Sequence, residues 1–198
     1  MEDRLYMEGS RLFLQEMRPE DITESMMAWF QDSDLMRFYT NSGRKIDKAE
    51  LIHSMMEGRK NKDNYTLGIY AMVDNSLIGT VKLGHINWRH RVSDLATLIG
   101  DKRFHGKGLA ADAVALGTRI AFDVLDLRAL HTSMYVSNIA SIKAYIKAGW
   151  VVEGRIRGYY MVDGRSEDQV LEGCYNPLYF SEQEIMDLRT KSSMYYEG

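Results

Sequence analysis

The stretch LIGDKRFHGKGLAADAV, Leu98 to Val114, places Lys102, Arg103, His105 and Lys107 around Gly106 and Gly108, just ahead of an Ala-rich helical pattern. The first turn of a helix leaves backbone N–H groups unpaired, and the helix dipole adds partial positive charge there. Glycines let a phosphate come close to the backbone, and neighbouring bases add charge, so the combination makes an anion seat. The same residues also suit an ordinary solvated turn between a strand and a helix. The spacing lacks the G-x-x-x-x-G-K-[ST] form of a nucleoside-triphosphate loop. It meets G-x-G-x-x-G only formally, through Ala111, and a nicotinamide-binding fold would set that loop near the start of a long parallel sheet.

The elements around this loop read as follows. RLFLQEM, Arg11 to Met17, alternates like a strand. Pro19 fits a helix start, with Ile22, Met26, Trp29 and Phe30 at helical spacing, and a second helix is expected over Lys48 to Glu57. YTLGIYAMV and LIGTVKLGHI are strands joined by the turn Asp74-Asn75-Ser76, and VSDLATLIG continues them as a meander. Leu109, Ala113, Leu116, Gly117, Ile120, Ala121 and Val124 mark one face of a long helix. ALHTSMYV is the next strand. SNIASIKAYIKAG is a helix with Asn138 as N-cap and Gly149 as its stop, and WVVEGRI and QVLEGCY are the last strands. The expected order is β-α-α-β-β-β-α-β-α-β-β, an α/β domain with a mixed, mostly antiparallel central sheet and helices on both faces. One domain over residues 1–176 is expected, with 177–198 as a tail carrying a short helix, Glu182 to Leu188.

The 198 residues carry a formal net charge of -3, which gives no general affinity for nucleic acid, so the basic loop is a local feature. The single cysteine, Cys174, cannot form an internal disulfide and reads as a small buried hydrophobe. No secretory signal opens the sequence, no apolar run is long enough to cross a bilayer, and no His/Cys/Asp cluster has metal spacing. These features point to a cytoplasmic protein with no membrane partner and no metal.

From Arg11 to Tyr175 the sequence resembles the GNAT superfamily of acetyl-CoA-dependent N-acetyltransferases. The resemblance is carried by TLIGDKRFHGKGLAADAV, by RIAFDVLDLRALHTSMYVSNIASIKAYIKAGW, by VVEGRIRGYYMVDGRSEDQVLE and by the hairpin IYAMVDNSLIGTVKL. The family's pyrophosphate motif, Gln or Arg, two residues, Gly, one residue, Gly or Ala, reads His105-Gly106-Lys107-Gly108-Leu109-Ala110, with His in the first place. Asn138, Ser141 and Tyr145 match N-x-x-[AS]-x-x-x-Y-x-[KR]-x-G-[FWY]. The resemblance implies acetyl-CoA as donor, its pantetheine arm bonded by the backbone of Leu98, Ile99 and Gly100 and met by Asn138, and Tyr145 near the thioester sulfur. It also implies a primary amine as acceptor, and a homodimer is common for such a fold.

Transfer requires an uncharged amine, so a base must remove a proton. Asp94 is the first candidate, His85 the second and Glu153 the third; an N–H near Leu98 would support the developing oxyanion. Each has a plainer reading: Asp94 as a partner of Arg91, His85 as an exposed histidine, Tyr145 as a core aromatic, Asn138 as only a cap. Methionines 26, 27, 36, 55 and 56, with Trp29, Phe38 and Tyr39, would suit an adaptable acceptor wall. A small-molecule amine, an amino sugar or polyamine, is the favoured acceptor. A protein N-terminus, a non-catalytic acyl-CoA sensor and an ATP- or NAD-dependent enzyme are the alternatives.

Overall fold

The structure, a computed structural model, describes residues 4–39, 46–192 and 195. Eight strands form one sheet: β1 (Tyr6–Glu8), β2 (Leu12–Glu16), β3 (Asn64–Ala71), β4 (Leu77–Gly84), β5 (Val92–Ile99), β6 (Ala129–Tyr135), β7 (Val151–Val162) and β8 (Arg165–Tyr175). Their spatial order is β1-β2-β3-β4-β5-β6-β8-β7. Every neighbouring pair is antiparallel except β5 and β6.

Alternation along the strands sets the two faces. Leu12 and Leu14 on β2, Leu67 and Ile69 on β3, Val81 and Leu83 on β4 and Leu95 on β5 join one large buried cluster. The helix α4 (Leu109–Arg119) packs on that side through Ala113, Val114 and Leu116, and α5 (Ile139–Lys147) adds Ile142 and Tyr145. Leu98, three residues beyond Leu95, has the opposite parity on the strand and faces the other way. It joins a smaller cluster with Met17, Ile22, Met26, Met27, Trp29, Met36 and Met55. That cluster is built by α1 (Glu24–Gln31), α2 (Ser33–Met36) and α3 (Lys48–Asn61), whose first turns are capped by the side chains of Thr23, Asp32 and Asp47. Helices therefore cover both faces, as expected.

The differences from the sequence reading are local. β1 and α2 are extra, and at three and four residues they are too short to show a period. The helix expected to start at Pro19 is one 3-10 turn there, and α1 begins at Glu24. α3 runs four residues past Glu57, and the long helix changes to a π-helical turn over Ile120–Val124. β7 and β8 extend well beyond WVVEGRI and QVLEGCY, because residues 155–161 are mostly solvated and carry no inside–outside alternation. The last helix, α6 (Glu182–Ser192), packs on β7, where Ser192 Oγ accepts from the Val152 N–H at 2.8 Å.

The feature that positions the site is the parallel contact of β5 and β6. It holds for three rungs, Val92↔Ala129, Ser93↔Leu130 and Asp94↔His131, and then the strands part. Beyond them, among the described residues, β5 is paired only with β4, and β6 only with β8.

Candidate active site

The parted strands open a cleft of about 620 Å³. Its walls are Ala96 to Ile99 on β5, Thr132 to Met134 on β6, the loop into α4 and the facing side of α5.

The loop takes its shape from two glycines. Gly106 and Gly108 have φ of 71° and 74°, the left-handed region that costs other L-residues about 1–2 kcal/mol. A side chain at Gly106 would meet nothing within 4 Å, so the space over the loop is open. Gly108 directly precedes α4, and Gly106, Gly108, Leu109, Ala110 and Ala111 line the cleft. None of the loop N–H groups of Gly106, Lys107 and Gly108 has a backbone acceptor among the described residues. His105, at the motif's first position, bonds through Nε2 to the Ile99 carbonyl at 2.8 Å and so ties the loop to β5.

The expected ring of bases is redistributed. Lys102 is paired with Asp32 at 2.5 Å and Arg103 with Asp101 at 2.6 Å, while the Lys107 ammonium lies over the Phe104 ring. Cleft-facing charge comes instead from Lys143 and Lys147 on α5. Lys147 Nζ lies 3.7 Å from where a Cβ on Gly108 would stand.

On β5 the backbone groups divide by parity. Gly100 donates its N–H to the Ile78 carbonyl at 2.9 Å, on the β4 side, so that N–H is closed to a ligand. By the alternation of a strand Leu98 turns the same way, whereas Thr97 and Ile99 face the gap. The bonds from His105 to the Ile99 carbonyl and from Tyr145 Oη to the Leu95 carbonyl at 3.0 Å, both odd positions, agree. Of the three residues expected along the arm, only Ile99 thus turns its backbone groups to the cleft, and Thr97 joins it. Leu98 lines the cleft and packs its side chain against the methionine cluster.

Asn138 caps α5, its side chain accepting from the Ser141 N–H, and both residues line the cleft. Tyr145, 4 % exposed, sets its ring edge-on to Trp150 and its hydroxyl against β5. Burial raises its pKa well above the usual phenol value, so it stays protonated.

At the apex of the cleft the last rung pairs Asp94 with His131, which places both side chains on one face. Glu153, displaced at a bulge in β7, reaches His131 Nδ1 with Oε2 at 3.3 Å and also accepts from the Tyr175 hydroxyl. Burial raises the Asp94 pKa, and the neighbouring His131 and His85 oppose the rise. The Glu153 carboxylate, with help from Asp94, raises that of His131 against the cost of burial. His85 lies one residue beyond β4 and is held by Asn64 through Nδ1 at 3.0 Å. Arg91 does not pair with Asp94: it bonds Asp126 and Tyr179. Two residues here went unnoticed in the sequence. His131 looked like one polar residue in a strand. Glu172, 0 % exposed beside Thr132 on β8, has no partner for either carboxylate oxygen among the described residues, and burial pushes its pKa up to about 8.

Residues 11–151 match the profile of the acetyltransferase (GNAT) domain. The chain belongs to the GNAT acetyltransferase family. It is an acetyltransferase, and acetyl-CoA is its acetyl donor. A probable N-acetyltransferase of Bacillus subtilis (strain 168), YjcK, is 26% identical over 180 residues, 86% of this chain and 97% of that protein. The spermidine N(1)-acetyltransferase of Vibrio cholerae is 29% identical over 93 residues, 47% of this chain and about half, 53%, of that enzyme. Among solved structures, spermidine N-acetyltransferase from Vibrio cholerae in complex with CoA and spermine has a TM-score of 0.77 at 20% identity, covering 86% of this chain and 99% of that one. The ribosomal-protein-S5-alanine acetyltransferase from Vibrio fischeri has a TM-score of 0.74 at 18% identity, with 88% and 98% covered. These two likenesses carry the fold.

The open groups fit the donor. The bared loop amides and Lys147 suit a diphosphate, and the gap-facing backbone of Thr97 and Ile99 suits an amide-bearing arm.

Proposed function

We propose that this acetyltransferase acts on a primary amine of a small molecule, with polyamines as the leading acceptors and amino sugars next. The observation that supports this reading is the carboxylate–imidazole–carboxylate group, Asp94, His131 and Glu153, at the apex of the cleft. Two carboxylates attract an ammonium ion, and the Asp94–His131 rung offers it a proton acceptor, directly or through water. A stacked pair, Tyr135 on Tyr160 with ring centroids 3.7 Å apart, with Phe38 against Tyr135, adds aromatic faces suited to an alkyl ammonium chain. The spermidine acetyltransferases among the relatives favour the same class.

The donor supplies an activated acetyl group and a thiolate leaving group. In this reading the protein binds its diphosphate at Gly106–Ala110 and its arm along Thr97 and Ile99. An N–H of one of these two residues steadies negative charge on the acetyl oxygen, a role first expected near Leu98. The Asp94–His131 rung holds the proton taken from the amine, with His85 as an outer electrostatic neighbour. Tyr145 holds a proton at its hydroxyl for the departing sulfur. Positioning of the amine against the thioester supplies a large share of the acceleration.

The test is thiol release from acetyl-CoA with spermidine, spermine, an amino-sugar nucleotide and a peptide with an N-terminal alanine. Turnover on the polyamines, lowered at least tenfold in Asp94→Asn and His131→Gln with CoA binding intact, is the expected result. Turnover confined to the peptide would replace the small-molecule reading with protein N-terminal acetylation. CoA binding with no turnover on any amine would overturn the proposed acceptors.

A further inference from the structure

We infer that Arg11, far outside the anion loop in sequence, is a positioning residue for the diphosphate seat. The inference rests on the seat proposed above. Arg11 lies just before β2 and reaches across to the entry of α4. Its Nη1 donates to the Lys107 carbonyl at 2.9 Å and its Nη2 to the Gly108 carbonyl at 3.4 Å. Its Nε donates to Asp112 Oδ2 at 2.7 Å. One guanidinium thus holds two consecutive peptide units and a carboxylate.

Peptide geometry makes the consequence definite. In a planar trans peptide the carbonyl of one residue and the N–H of the next point in opposite directions. Fixing the Lys107 and Gly108 carbonyls on Arg11 therefore aims the N–H groups of Gly108 and Leu109 away from it, and both residues line the cleft. Left-handed glycine peptides turn over readily, because no Cβ resists it. Gly108 is the N-cap of α4, so its carbonyl also accepts the first bond of the helix and stays fixed. The Lys107 carbonyl accepts from no other backbone N–H among the described residues, and without Arg11 it is free to turn toward the anion and repel it.

A second effect has the same sign. Asp112 stands in the first turn of α4, where its charge opposes a bound diphosphate. Arg11 neutralises it. The fork geometry matters, since an ammonium could not serve both carbonyls and the carboxylate in one plane.

The test measures binding, not turnover, with two probes: CoA, and pantetheine, which has the arm and thiol but no diphosphate. Calorimetry follows CoA, and ligand-observed NMR follows the weaker pantetheine. Arg11→Met should weaken CoA by roughly ten- to hundredfold, the loss of one charge-assisted contact set, and leave pantetheine unchanged. Arg11→Lys should restore only part of the loss. CoA affinity equal to wild type in Arg11→Met, or an equal loss for both probes, would overturn the inference. Gly108→Val separates it from the seat itself. If that variant binds CoA normally, the seat is misplaced; if it loses CoA while Arg11→Met does not, only the role of Arg11 falls.

Discussion

In the proposed reading, the donor side and the acceptor side of this cleft are made from different materials. The donor side is mostly backbone: two left-handed glycines, a helix start and the bare edge of β5. It rests on the large cluster of Leu, Ile and Val side chains. The acceptor side rests on α1, α2 and α3 and on a cluster in which five of the eight buried members are methionine. Backbone geometry binds one ligand shape and must be held rigidly. Unbranched thioether side chains repack at low cost and accommodate change. The difference teaches that such an enzyme can keep its donor fixed while its acceptor drifts.

The sharpest way to break this comparison lies in the rigid half. Glu172 is buried there with no hydrogen-bond partner among the described residues, and burial pushes its carboxyl up to about 8 from the ordinary 4.5. Between these values the folded protein keeps a proton that the unfolded chain has lost. Stability contributed by Glu172 is thus present below about pH 4.5 and lost as pH rises through 8, by an amount on the order of 4 kcal/mol. Urea unfolding at pH 5, 6.5 and 8 should show wild type falling relative to Glu172→Gln, and parallel curves would remove the buried acid from the account.

Next in size, Leu130→Ala, at a fully buried site of the large cluster, should cost roughly 3 kcal/mol by denaturant midpoint. A loss below about 1 kcal/mol would mean that the donor half repacks as easily as the other. Gly108→Ala should cost about 1–2 kcal/mol for the left-handed backbone, and the added methyl would meet Arg11 and Lys147 only at ordinary contact distances. Its weakened CoA binding should exceed any change in acceptor KM. The smallest effect is expected for Met27→Leu, under about 1.5 kcal/mol, with CoA affinity unchanged and the ranking among amines altered. An unaltered ranking would make the methionines mere filler.

What the sequence revealed follows the same division. The loop and α5 were legible because their chemistry lies within a few residues: Gly106, Gly108, Asn138 and Tyr145 are set by local turns and helical spacing. The mixed sheet was legible from alternation in β2 to β6. The apex group was only half visible. His131 and Glu153 stand 22 positions apart and meet through strand register and a bulge, neither of which leaves a local pattern. Arg11 and Gly108 are 97 apart. The basic residues of the loop misled for a related reason, because Asp32, which takes Lys102, comes from a distant helix cap. Parity on β5, which moves the cleft-facing amides to Thr97 and Ile99, depends on which side β4 pairs.

The divergence of β5 and β6 has a cost in colloidal behaviour. Two strands in the middle of the molecule each present an edge only partly covered, on β5 by His105 and Tyr145 at the Ile99 and Leu95 carbonyls, and such an edge invites a stray peptide or another chain to add itself. An acetyl donor lying there would act as a plug as well as a reactant. Enzyme stored with CoA should stay monodisperse longer than enzyme stored without it, and light scattering over days would show the contrast.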